Sequence, residues 1–203
     1  MDILLISLYL ACELTANVTA SKAVAVGGVV VPAGVFIYAL TFTLIDLINE
    51  RLGKARARQV VYGAFAGNLL LAAYTAFTVW LPPAGFYAHQ EAYAAVLGST
   101  PRIVFASLVA YLVSALLDTE IFAWWRARVR GHRWGRVLVS NAVSTFVDSV
   151  VFITGAFAGI LPLSPLIWGQ YLWKMAVTVV SLPLIYLTRA QRPGAFSGRT
   201  VWP

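Results

Sequence analysis

Four ionisable side chains stand where an apolar environment would exclude them. Lys174 lies inside the apolar stretch from Leu166 to Leu187, and Asp46, Asp118 and Asp148 lie on three other apolar stretches, each between uncharged neighbours. At bilayer depth such a group costs roughly 2.5–3.5 kcal/mol on insertion scales, so it is retained with a partner or a water-lined path. Three aspartates and one lysine so placed point to a polar site inside a helix bundle.

Helical spacing sorts further polar residues onto the same faces. Asn141, Ser144 and Asp148 form a stripe that continues through Phe152 and Gly155. Gln170, Lys174, Thr178 and Ser181 form a second, and Glu13, Asn17 and Ser21 a third. Lipid cannot solvate these faces, so they should converge on one interior. At roughly 1.5 Å of rise per residue, Glu13, Asp148 and Lys174 fall near mid-membrane. Asp118 falls nearer the cytoplasmic end and Asp46 lower still.

Two readings of the charges compete. In one, Lys174 pairs with Asp148 or Asp118 and fixes helix order. In the other, at least one carboxylate is left for a ligand or a proton, because the acids outnumber the lysine. Unpaired acids would hold a proton or face water. Carboxylates accept paired hydrogen bonds from amidine-like edges, such as the N1–H and 2-amino group of a guanine-type base. Tyr38, Phe42, Phe152, Tyr171 and Trp173 offer aromatic faces for a planar ring, although interface belts also use such residues. Glu50 stands one turn from Lys54 and reads as a solvated pair, and Glu120 faces away from Asp118.

The elements that must position these groups are apolar and long. The chain has 203 residues, of which 60% are hydrophobic and 11% charged, far below the roughly 25% charge of a soluble domain. Six segments of spanning length can be drawn, at about 3–22, 34–50, 58–81, 102–125, 137–160 and 166–188, each near the roughly 20 residues a bilayer requires. Glycines and prolines fall between them, and the 84–100 connection has room for a short interfacial helix around Glu91. The first segment follows Met1-Asp2-Ile3 without a basic leader, so it reads as a retained span. The expected class is all-α: a polytopic membrane protein with six transmembrane helices in one bundle, a transporter domain over 1–190 and a cytoplasmic tail over 191–203.

Charge sets the orientation. Arg51, Lys54, Arg56 and Arg58 share one short loop, and Arg126, Arg128, Arg130, Arg133 and Arg136 another; Arg189, Arg192 and Arg199 follow the last span. The opposite side holds Lys22 and Arg102. The positive-inside rule then places both termini in the cytoplasm, in the cell membrane. The net charge of +7 is thereby explained without nucleic acid, since no element carries a basic face interleaved with aromatics. A single cysteine and two distant histidines exclude a disulfide and a cysteine or histidine metal site, and no cofactor is implied. No HExxH, GxSxG or nucleotide loop is present, so an intramembrane enzyme is not the expectation. Gly-Ala-Phe-Ala-Gly occurs at 63–67 and again at 155–159. Each is a GxxxG that suits close helix packing, within the chain or between protomers; an old duplication is the other reading.

The order of motifs resembles the queuosine precursor transporter family, once called vitamin uptake transporters. The residues that carry it are Asp46-x3-Glu50-x2-Gly53, Leu117-Asp118-x3-Phe122, and Arg136-x3-Ser140-Asn141-x6-Asp148-Ser149-x2-Phe152. Lys174 with Pro183, and Asn17 with Lys22, complete it; Glu13 lies outside the pattern. The resemblance implies a six-helix importer of the 7-deazaguanine bases preQ0 or preQ1. It also implies a likeness in size and span count to the substrate-binding subunits of energy-coupling-factor importers. On the first reading Asp118, Asp148 and Lys174 form the base site, with Asp46 at its inner exit and Asn17, Asn141, Ser144 and Gln170 as further polar contacts. On the second the chain docks on a separate energising complex, for which Ala16-x3-Ala20 would suit contact with a partner helix. A homo-oligomer stays open.

Overall fold

A computed structural model of the chain describes residues 2–128 and 133–190. Helix α1 (Asp2–Thr19) leads into a hairpin of β1 (Ala23–Val26) and β2 (Val29–Pro32). Then come α2 (Gly34–Leu52), α3 (Lys54–Trp80), the short α4 (Gln90–Leu97), α5 (Thr100–Arg128), α6 (Arg133–Phe157) and α7 (Leu163–Ala190). The long helices follow the apolar segments read from the sequence, and α4 fills the 84–100 connection.

The hairpin corrects an all-helical reading. Gly27 and Gly28 both take positive φ, 59° and 81°, as a two-residue turn matched to strand twist requires. Val26 pairs with Val29 and Ala23 with Pro32 in antiparallel register. Valines flanking Gly-Gly are a hairpin signal in their own right, hidden here inside an apolar chain. Val31 and Pro32 are buried, and α7 packs directly on β2. At Gly169 a Cβ would stand 1.9 Å from the Val30 carbonyl oxygen, so only glycine allows that approach.

The helices pack by the same device. A Cβ on Gly34 would lie 2.1 Å from the Ala16 carbonyl oxygen, which seats the start of α2 against the end of α1. Ala20 belongs to an apolar core with Ile103, Ile153, Phe157 and Leu166. The Ala16-x3-Ala20 spacing is therefore spent inside the chain: both residues are buried by its own helices, and neither is offered to a partner. A second core gathers Tyr9, Ile48, Ala57, Val60 and Ala64 nearer the basic loops.

The two GxxxG copies part company. A Cβ on Gly155 would come within 2.9 Å of Ala106 Cβ, so α5 and α6 are close-packed there. Gly159 ends the segment at φ 80°. Arg102 donates to the carbonyls of Gly155 and Ala158 at 2.8 and 2.7 Å, satisfying acceptors that a helix end leaves free. Gly63, in contrast, has nothing within 4 Å, and Gly67 meets only Leu14, at 3.8 Å. Close packing within the chain thus holds for the second copy and not for the first.

Among the described residues, three helical stretches are long and apolar enough to cross a membrane: Asp2–Thr19, Lys54–Trp80 and Gln90–Leu117; Gly34–Asn49 and Ala142–Phe157 are shorter apolar helices. Leu69, Leu70, Tyr74, Phe105, Leu112 and Leu116 are exposed on α3 and α5. So much outward apolar surface is what lipid, and not water, accepts. The chain is a helical, multi-pass membrane protein.

Candidate functional site

Glycine contacts at both ends of the hairpin set the site. Gly34 follows β2 and brings α2 onto α1 beside Asn17. Gly169 brings α7 onto β2 and so delivers Gln170, the next residue, to the interior, with Lys174 one turn further on. Lys174 donates a hydrogen bond to Asp148 Oδ2 across α6 and α7. The side chains are 11% and 16% exposed, so the pair is largely withdrawn from solvent. Of the two partners the sequence left open for Lys174, the structure uses Asp148. The ammonium also lies 5.2 Å from the centre of the Tyr38 ring, within cation–π range.

Above this pair, towards the hairpin, a cavity open on one side spans about 420 Å³ between atoms, part of it solvent. Asn17, Tyr38, Asp148, Phe152, Gln170 and Lys174 supply its polar and aromatic lining. Gln170 is 2% exposed, and its amide makes no hydrogen bond to another described residue. That amide borders the cavity; the fully buried side-chain atoms left without a hydrogen-bond partner among the described residues are instead Thr100 Oγ1 and Trp173 Nε1. Asn17 donates to Asn68 Oδ1 at 2.7 Å, both residues being buried.

Below the pair, towards the basic loops, a second cavity of about 620 Å³ is lined by Tyr38, Phe42, Tyr111, Ser114, Ser144, Thr145, Asp148 and Lys174. Beside both runs a third, of about 540 Å³, between α1, α2, α3 and α5, with Tyr9, Glu13, Thr41, Asn68, Ser107 and Tyr111 in its wall. Tyr38 borders all three cavities.

Of the residues singled out from sequence, Asn17, Asp148, Gln170 and Lys174 meet at the upper cavity, while Ser144 is buried and lines the lower one with Asp148 and Lys174. The side chains of Asp46, Asp118 and Asn141 lie outside the described residues, although the backbone at each is helical. Thr178, part of the α7 stripe, donates to the Lys174 carbonyl of its own helix. It belongs to the stripe by spacing and to the backbone by bonding. Among the aromatic candidates Tyr38, Phe42 and Phe152 reach cavities. Trp173 instead packs edge-on against Phe36, and Tyr171 against Phe146.

Sequence reasoning passed over Asn68, Ser107 and Tyr111. Asn68 had a readable signal, being the one amide between Tyr62 and Thr75 in an apolar run of α3. Ser107 and Tyr111 had none, since serine and tyrosine are ordinary on a membrane helix.

Residues 32–188 match the family described as "Putative vitamin uptake transporter". A protein of Bacillus subtilis (strain 168) named "Probable queuosine precursor transporter" is 31% identical over 185 residues, covering 88% of this chain and 80% of that protein. No solved structure matches the chain.

Proposed function

The chain belongs to the vitamin uptake transporter family and is a transporter, not an enzyme; from that footing we propose that it imports queuosine precursors, the 7-deazaguanine bases preQ0 or preQ1, across the cell membrane. Six helices span the bilayer on this reading, with both termini on the cytoplasmic side and the tail over 191–203 following the transporter domain. The name of the Bacillus subtilis relative supports the substrate class.

The observation that carries the reading is the Gln170 amide bordering the upper cavity beside the Lys174–Asp148 pair. An amide offers a donor and an acceptor in one plane, which is what the edge of a planar base presents. Asp148 spends one oxygen on Lys174, and the other accepts from the N1–H or 2-amino group of the base. Asn17 completes the polar wall, and Tyr38 and Phe152 supply the ring faces. Ser144, Asn141, Asp118 and Asp46 mark the way down to the cytoplasm. On this reading the chain works alone; Ala16 and Ala20, the spacing that would suit a partner helix, are buried within the chain.

Binding of preQ0, preQ1, queuine and guanine to the purified protein tests the substrate class, followed by uptake into liposomes holding this chain alone. The expected result is preference for a deazaguanine precursor, uptake without a partner, and loss of both in Asp148→Ala. Binding of none of the four, or unchanged uptake by Asp148→Ala, refutes the assignment.

A further inference from the structure

Glu13 takes no part in the base site, yet α1 carries it to the same depth. It lines the cavity beside that site and is only partly buried against protein. Tyr9, one turn earlier on the same helix, lines the cavity beside it, and Lys174 lies within electrostatic reach. Among the described residues, the two carboxylates Glu13 and Asp148 thus have one ammonium between them, and its hydrogen bond goes to Asp148. A carboxylate left without a cation at this depth is costly unless it takes a proton.

The two cavities are joined structurally. Tyr38 and Ser107 belong to the walls of both. The Asn17–Asn68 hydrogen bond spans them, with Asn17 on the base side and Asn68 on the Glu13 side. Among the described residues, the titratable groups around Glu13 are Tyr9 and Cys12 on α1, Tyr38 on α2, Tyr111 on α5, Asp148 on α6 and Lys174 on α7. The wall contributed by α3 (Val61, Ala64, Phe65, Asn68) has none. Phe42, Phe65, Tyr38 and Tyr111 make much of the surface aromatic. A metal cation, which needs about six oxygens, is poorly served there; a proton needs one.

Resting on the reading of the upper cavity as a base site, we propose that Glu13 is a proton-binding site loaded and unloaded together with the base. A base that fills the upper cavity closes off solvent along the shared wall at Tyr38 and Ser107. Lys174 stays with Asp148, so Glu13 takes one proton from solution and becomes neutral. Opening towards the cytoplasm readmits water, and base and proton leave together. The step is a protonation alone; no bond of the base is made or broken.

Infrared difference spectra of the full-length protein, recorded between acid and alkaline buffer, read the carboxylic acid directly and need no ligand. A protonated-carboxyl component that the native protein shows over and above Glu13→Gln is expected in the native-minus-variant difference; its absence from that difference overturns the proposal. With preQ0 added, the band should grow at fixed pH. Above the pH at which Glu13 deprotonates, native affinity should fall about tenfold per pH unit, as one linked proton requires, while Glu13→Gln binds with no pH dependence. In liposomes preQ0 entry should carry protons in, seen with an internal pH dye, in the native protein only. A band that titrates without any preQ0 binding would leave the proton site standing and refute the substrate. Binding indifferent to pH in the native protein, or uptake driven by a sodium gradient instead, would refute the coupling.

Discussion

Lys174→Met and Asp148→Asn remove opposite halves of one ion pair, and the structure predicts that they are unequal. Removing one partner of a buried pair costs about 3–5 kcal/mol, mostly from the charge left behind. At 11% and 16% exposure this pair belongs near the lower end. After Asp148→Asn the ammonium keeps the Tyr38 ring, 5.2 Å away and worth about 0.5–2 kcal/mol, and has Glu13 within reach. After Lys174→Met, Asp148 loses its only side-chain hydrogen bond among the described residues. The expected costs are about 3 kcal/mol for Lys174→Met and about 1–2 kcal/mol for Asp148→Asn. Together they should cost less than their sum, with a coupling near 2 kcal/mol, or about 30-fold in the folding equilibrium. Equilibrium unfolding of the three variants in mixed micelles measures this, with preQ0 uptake as a separate readout that should be lost in all three. A coupling under about 0.5 kcal/mol, or a larger loss for Asp148→Asn than for Lys174→Met, would refute the reasoning.

Gln170→Leu removes an amide that hydrogen-bonds no described residue, so stability should hold to within about 1 kcal/mol while preQ0 affinity falls about 10- to 100-fold. A thermal melt and a binding isotherm on the same sample decide it, and unchanged affinity would remove Gln170 from the site. Gly169→Ala places a Cβ 1.9 Å from a backbone oxygen of β2, which α7 relieves only by moving. The expected cost is about 1–3 kcal/mol, with weaker preQ0 binding although no polar group is deleted. Gly63→Ala, which meets nothing within 4 Å, should leave both quantities unchanged.

The contrast between Gly169 and Gly63 also shows what a single sequence discloses here and what it withholds. Period and length reveal helices, because a bilayer demands apolar runs and each run carries one polar face; hence Asp148, Lys174, Gln170 and Asn17 were legible as a set. Which faces meet depends on the order of helices around the bundle, and no spacing within one helix encodes that. Lys174 could therefore be given two possible partners but not one. Gly63 and Gly155 open the same five-residue string, yet one faces open space and the other Ala106, since a motif for close approach does not name the surface approached. The hairpin was masked for a different reason: Ala-Val-Ala-Val and Val-Val-Val-Pro are apolar on every side chain, so the alternation that marks a half-solvated strand vanishes, leaving Gly27-Gly28 as the residual sign. Tyr38 is the hardest case. A tyrosine near mid-span looks like one more aromatic of a membrane protein, and only the convergence of α1, α2, α5, α6 and α7 around it makes its ring a wall shared by all three cavities. Its importance is a property of the packing, and so are its consequences: enlarging or shrinking that one ring alters three cavities at once, while the stripes on which the sequence argument rested stay as they were.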